Sequence, residues 1–257
     1  HRTTRIPLEV HGAIPLDASI CFDVQGNVVV TGTYARDEGH GKLTATQGVF
    51  AVRVSGSNGL VTGTDVYPFP ADLVRSLNSR HAAAKGKGLD QIIEMRKLVP
   101  LPGGGVAAMG QIHAHTVAGQ GRTGALTQYA EEFGDVIYYE VSPGGTILCS
   151  GGVERDEHNP EMMTTTGPIY LGSASGHMLV LYDAVKKETH YRAAVYQETY
   201  DPKGEKRSGS ALLQWPDRDL SRILWDTARP LDDNHVVAAY YNQSDKKMGM
   251  LTITLAD

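Results

Sequence analysis

The chain has 257 residues, a net charge of -5, and 41% hydrophobic against 21% charged residues. That balance excludes an intrinsically disordered chain and is enough for one large core or two small ones. Lys and Arg are scattered, with their densest group at Lys203 to Arg207, so the concentrated basic surface that a nucleic-acid partner requires is missing.

In chain order, Thr3 to Val10 is a short apolar run that reads as a strand with no sequence neighbour to pair with. Asp17 to Val24 alternates, placing Ile20, Phe22 and Val24 on one face. Gln25-Gly26-Asn27 is a turn, and the β-branched run Val28 to Tyr34 is a strand. Ala35 to Gln47 is polar and Gly-rich, hence a loop. Gly48 to Val54 is a strand, Ser55 to Gly59 a turn, and Leu60 to Phe69 extends again. Ala71 to Ala84 is the one helical pattern, with Leu73, Val74 and Leu77 at helical spacing, Asp72 near its start, and Gly86 and Gly88 beyond its end.

The order strand, turn, strand, loop, strand, turn, strand then recurs. From Asp90 to Val153 it runs through a Pro-Gly-Gly-Gly turn, a loop from His113 to Phe133, and a Ser-Pro-Gly-Gly turn. From Gly167 it runs through Ser175-Gly176 and Asp201 to Gly204, ending on the run Gly209 to Trp215. A last unit begins near Leu220 and shows three strands. Four such units (near 17–70, 90–153, 167–215 and 220–257) predict an all-β, β-propeller-like array of four-stranded antiparallel blades, either about four blades or part of a larger ring, with one inserted helix. The expectation is a single domain over 1–257, with residues 3–10 lent to the last unit as a closing strand that hides its open edge.

Cys21 and Cys149 sit inside apolar runs and read as buried thiols rather than a disulfide framework. No apolar run reaches the roughly 18 residues of a membrane helix, and His1 marks a processed mature chain or a fragment.

Several stretches resemble uncharacterised secreted or envelope-associated bacterial propeller-like proteins. They are QGNVVVTGTYA followed by GVFAVRV, the helical insert ending in KGKG, LVPLPGGGVAAMGQ, GDVIYYEVSPGGTI, and HVVAAYY with MGMLTITL. The resemblance implies an exported β-propeller of unknown role, secreted or in the cell envelope (periplasmic or surface); a further reading is a structural subunit of a larger envelope assembly. It supplies no catalytic residues, and the His113 to Phe133 stretch differs from those proteins.

The turns inside each unit are short and the remaining connections long, so the long-loop face is the expected interacting face. It would gather Arg36, Asp37, Glu38, His40, His113, His115, Glu131, Glu132, Asp156, Glu157 and His158. The binding candidates are His40, His113, His115, Asp156, Glu157 and His158. His113 and His115, two apart on a strand, share a side and suit a metal pair. A third ligand would have to come from Asp156, Glu157 or His158, none of them close in sequence, so no metal is assigned, and no cofactor is predicted. Gly103-Gly104-Gly105 lacks the Lys-Ser/Thr and the helix of a phosphate loop, no Gly-x-Ser-x-Gly occurs, and Asp201 to Gly204 is a turn without the oxygen ligands of a calcium loop. The tyrosines Tyr138, Tyr139, Tyr182, Tyr191, Tyr196, Tyr240 and Tyr241 read as packing between sheets. The expected function is a non-catalytic binding or scaffold module taking a protein or glycan. The alternative is a hydrolase or lyase at the channel mouth, using the loop histidines and carboxylates.

Overall fold

The computed structural model describes residues 5–10, 12–36, 46–77, 88–89, 92–118, 128–153, 169–174, 176–185, 193–200, 205–210, 212–213, 221–242 and 245–255. They form four four-stranded antiparallel sheets of blade type and one short helix. The chain separates into two compact units, residues 1–100 with 104–163, and residues 101–103 with 164–257.

In the first unit, β1 (Ile14–Phe22), β2 (Val28–Ala35), β3 (Gly48–Val54) and β4 (Val61–Pro68) make one meander. After α1 (Ala71–Leu77), β5 (Ile93–Pro100), β6 (Val106–Ala118), β7 (Gln128–Val141) and β8 (Ile147–Val153) make the second. The short turns are glycine turns for a backbone reason: Gly26, Gly104 and Gly145 hold φ of 80°, 88° and 87°, where a Cβ would clash. Alternation decides the packing. Val29, Val49 and Ala51 of the first sheet meet Ile93, Ala108, Ile112, Ile137, Tyr139 and Val141 of the second in one core. Phe50, Val52 and Val54 point the other way, and Val10 and Ala13 of the leading segment pack over them.

Polar pins fix the two sheets of this unit edge to edge. The Asp17 carboxylate accepts from the Met95 N–H at 2.6 Å, and Asp65 accepts from the Ile147 N–H at 2.8 Å. Between them, Thr31 donates to the Phe50 carbonyl, and its oxygen lies 2.8 Å from the Tyr139 hydroxyl, which also approaches Met95 Sδ at 3.7 Å. Burial drives the Tyr139 phenol far above its ordinary pKa, so it stays neutral.

The structure adds to two sequence readings in this unit and changes a third. Ile20, Phe22 and Val24 do lie on one side, but that side faces water: Ile20 is 63% and Phe22 66% exposed. The inward positions belong to Asp17 and Cys21 because Asp17 serves the Met95 amide. The helix is described over Ala71–Leu77, with Leu73 and Val74 buried; residues 78–84 lie outside the described residues. Finally, the shoulders of the expected loop from His113 to Phe133 are strand, as β6 and β7 continue into it from both sides.

In the second unit, β9 (Tyr170–Ala174), β10 (His177–Val185), β11 (Ala193–Tyr200) and β12 (Lys206–Ser210) form the third sheet. The fourth has the order β13 (Leu212–Leu213), β16 (Lys247–Thr254), β15 (His235–Asn242), β14 (Ser221–Asp232). Leu179, Leu181 and Val195 pack on Ile223, Val236, Ala238, Leu251 and Ile253. Trp225, 1% exposed, enters this core from an irregularity in β14, where pairing jumps from Leu224–Ala239 to Arg229–Val237. Thr227 holds the irregularity, donating to the Leu224 carbonyl at 2.6 Å and accepting from the Ala239 N–H at 2.9 Å. Buried Glu198 accepts from Lys206 at 2.5 Å and from the hydroxyls of Tyr182 and Tyr200 at 3.2 and 3.4 Å.

The closing strand is a correction. Residues 5–10 form no strand, and the place beside β16 belongs to Leu212–Leu213, paired with Thr254 and Ile253. The run Gly209 to Trp215 is thereby divided: Gly209 and Ser210 stay in the third sheet and Leu212–Leu213 cross to the fourth. Closing an edge with a segment so near in sequence costs on the order of 1–2 kcal/mol less loop-closure entropy than recruiting the N-terminus.

Candidate functional site

The two ends of the first unit are built differently. At the short-turn end, Arg53 at the end of β3 is 4% exposed and makes a buried ion pair with Asp23. It also donates to the Gly104 carbonyl and the Gln25 side chain, each at 3.3 Å. Asp23 in turn accepts from the backbone N–H groups of Gln25 and Asn27 at 2.8 and 2.9 Å. Burial alone would raise the Asp23 carboxyl. The hydrogen bonds from Asn27 and Gln25, with the Arg53 charge, outweigh it and hold the group below the usual carboxylate range. One cation thus binds the β1–β2 turn to the β5–β6 turn, and this end is a cemented structural cap.

At the other end the second sheet outgrows itself. β5 stops pairing at Ile93, opposite Ile112, and β8 at Val153, opposite Val136. β6 and β7 continue for six more pairs, from His113–Phe133 to Ala118–Gln128. At about 3.3 Å per residue this two-stranded arm reaches roughly 20 Å past the sheet. Among the described residues no strand pairs with the outer edge of either arm strand. The register shifts where the arm begins: Gln111 pairs with Val136 but His113 with Phe133, so Gly134 and Asp135 together oppose Ile112. That is a β-bulge, which twists and re-aims the strands beyond it.

The binding candidates divide sharply. His113 and His115 fall on the arm, opposite Phe133 and Glu131. His40, Asp156, Glu157 and His158 lie outside the described residues, as do Asp37 and Glu38. The backbone register sets His113 across from Phe133 and His115 across from Glu131. In the sequence Glu131 was only one acid among several; pairing is what singles it out, and no local pattern encodes pairing across residues 119–127. Around the arm's base, Thr46 and Leu89 exchange backbone hydrogen bonds of 2.8 Å in both directions, tying the β2–β3 connection to the segment after α1. Thr33 adds a hydrogen bond to the Ile93 carbonyl at 3.2 Å.

The tyrosines mostly pack, with a device the sequence did not announce. Tyr138 is fully buried and faces Gly151 across the β7–β8 ladder, where a Cβ would meet its ring at 2.5 Å. Tyr240 and Gly249 repeat the pairing in the fourth sheet, with a Cβ distance of 2.6 Å. Tyr182 stacks on Tyr196 with centroids 5.6 Å apart. No disulfide joins Cys21 and Cys149, and burial, helped by the Asp23 charge, pushes the Cys21 thiol up. Among the described residues no helix is long and apolar enough to cross a membrane.

No protein-family model matches the chain, and no curated protein does. Among solved structures, a protein of unknown function from Dyadobacter fermentans DSM 18053 aligns at 13% identity over 90% of this chain and 67% of its own, with a TM-score of 0.33. A GH43_1 enzyme from Xanthomonas citri aligns at 9% identity over 98% of this chain and 90% of its own, with a TM-score of 0.26. Both scores lie below 0.5, and the fold assignment rests on the strand pairing.

Proposed function

We propose that the chain is a non-catalytic binding module whose working surface is the long-connection end of the first unit, centred on the β6–β7 arm, and that its ligand is a protein segment. The supporting observation is the six-pair extension of β6 and β7 beyond the strands that flank them. Such an arm presents backbone donors and acceptors in strand geometry, the surface on which an extended peptide adds as a further strand. The cemented short-turn end supports the same reading, since a rigid base lets an arm meet a partner with little further ordering. An exported location goes with this proposal on the strength of the sequence resemblance alone.

The test is selection of peptides from a displayed random library on the purified chain, followed by hydrogen exchange on the complex. The expected result is slowed exchange of amides within 113–118 or 128–133, and loss of binding when residues 114–132 are replaced by a two-residue Asn-Gly turn. A truncated chain that folds and keeps full affinity would overturn the proposal. So would a glycan array giving the specific ligands where the peptide library gives none.

A further inference from the structure

We infer that the outer edge of β16 is a self-association surface, on which the β16 of a second copy of this chain adds as an antiparallel strand. The edge is open because of where its backbone points. The Leu255 N–H donates at 2.8 Å to the carbonyl of Asn234, the residue directly across from it in the β15–β16 register. In an antiparallel ladder such bonded pairs recur at every second residue, so Gly249, Leu251 and Ile253 turn their backbone groups to β15. Met248, Met250, Thr252 and Thr254 turn theirs to the other edge. β13 takes up that edge at Ile253 and Thr254 only. Among the described residues no strand continues along it as far as Met248. The side chains there are equally uncovered: Met248 is 68% and Met250 73% exposed. Tyr241 and Ala239 lie across from them on β15, so the apolar surface spans both strands, while Leu251 and Ile253 belong to the core on the opposite face.

The sequence of the edge selects the partner. Met248-Gly249-Met250 reads the same in both directions, so two antiparallel copies meet about a twofold axis at Gly249, with Met248 of each opposite Met250 of the other. Those are the residues whose N–H and C=O groups face outward, and the two pairs exchange their backbone hydrogen bonds across the axis. Gly249 then meets Gly249, where no side chain resists the approach. The methionines of both copies gather on one face, and their flexible thioethers adapt to one another. Charge permits the pairing. Lys247 falls opposite Leu251 of the other copy, which keeps the two Lys247 residues about 13 Å apart along the strands, beyond the screening length of about 8 Å at physiological salt. β12, the outer strand of the third sheet, instead carries Lys206 and Arg207 within its five residues, the charged arrangement by which edges avoid pairing. Residues 248–254 carry no charge. So short an interface makes a reversible dimer rather than an obligate one. The edge belongs to the second unit and does not rest on the function proposed for the arm in the first.

The experiment is sedimentation equilibrium on the full chain from about 1 to 500 μM, a range that spans weak dimers. The expected result is a monomer that passes to a dimer as concentration rises. Met248→Lys and Met250→Lys each place a charge on the edge and should weaken association by roughly tenfold or more. Met250→Pro removes an outward N–H while leaving the bonds to β15 in place, and should weaken it at least as much. Ile20→Ser, an exposed apolar position on the first unit, leaves association unchanged. The melting temperature of each variant in dilute solution shows whether it folds; the two lysine variants, at exposed positions, are expected to melt with the parent. Hydrogen exchange followed by NMR reads the geometry directly. The amides of Met248 and Met250 should slow as concentration rises, while that of Leu251, already bonded to β15, should not change. A monomer throughout the range, a dimer that folded Met250→Lys leaves intact, or slowing confined to other amides overturns the inference.

Discussion

Arg53 is the residue whose loss is expected to damage the first unit most for a polar change. It is 4% exposed and its partner Asp23 5%, so the pair is out of water. Replacing Arg53 by Met keeps the volume and the apolar stem but strands a carboxylate that is held below the ordinary range. Breaking a buried pair from one side costs about 3–5 kcal/mol, equivalent in a domain of this size to roughly 6–20 °C in melting temperature. The loss includes the bond to the Gly104 carbonyl, and with it the tie between the two turns. Asp23→Asn keeps an acceptor for the Gln25 and Asn27 amides but leaves the guanidinium uncompensated, and is expected to fall in the same range. The double variant Asp23→Asn/Arg53→Met removes both charges, and its loss should be well below the sum of the single losses. The pH dependence has a definite sign. The folded carboxyl titrates below its unfolded value, so its stabilisation is complete above about pH 4 and is lost as the pH falls through the folded value. Asp23→Asn should flatten that acid limb. Chemical denaturation across pH, followed by far-UV circular dichroism, measures all of this. A loss under about 1 kcal/mol for Arg53→Met, or full additivity in the double variant, would refute the reasoning.

Gly151→Ala would put a methyl 2.5 Å from the ring of fully buried Tyr138; overpacking of this kind costs about 1–3 kcal/mol, whereas Gly144→Ala, with its nearest contact at 3.6 Å, should be close to neutral in the same melt. Asp65→Ala deprives the Ile147 amide of its acceptor and should cost about 1–3 kcal/mol, with faster hydrogen exchange at Ile147 as the local readout. Phe22→Ser, at a position 66% exposed, should change stability by no more than about 0.5 kcal/mol despite looking like a core substitution in the sequence; a loss above 2 kcal/mol would show that this face is covered.

The local alphabet of the fold was legible in the chain. Gly48 to Val54 is a strand with the bounds its composition suggests, and the turns at Gly26, Gly104 and Gly145 take the positive φ that only glycine adopts cheaply. Antiparallel meanders follow from strands joined by such short turns. Other features are written in no single stretch. Alternation divides a strand into two faces without saying which is buried, and so Ile20 and Phe22 face water while Asp17 turns inward to a backbone amide on another sheet. A run of uniform composition can change sheets midway, as Gly209 to Leu213 does, because the open edge of β16 lies in space and not in sequence. His113 and His115 are visible as a pair to any reader of the sequence. Their neighbour Glu131 becomes visible only when β7 is laid against β6, since its register is fixed by the buried rows of Ile112, Ile137 and Tyr139 and by the two-residue bulge that follows them. Short-range chemistry chose the strands and turns; long-range burial and hydrogen-bond pairing chose their neighbours, and the candidate site is made of neighbours.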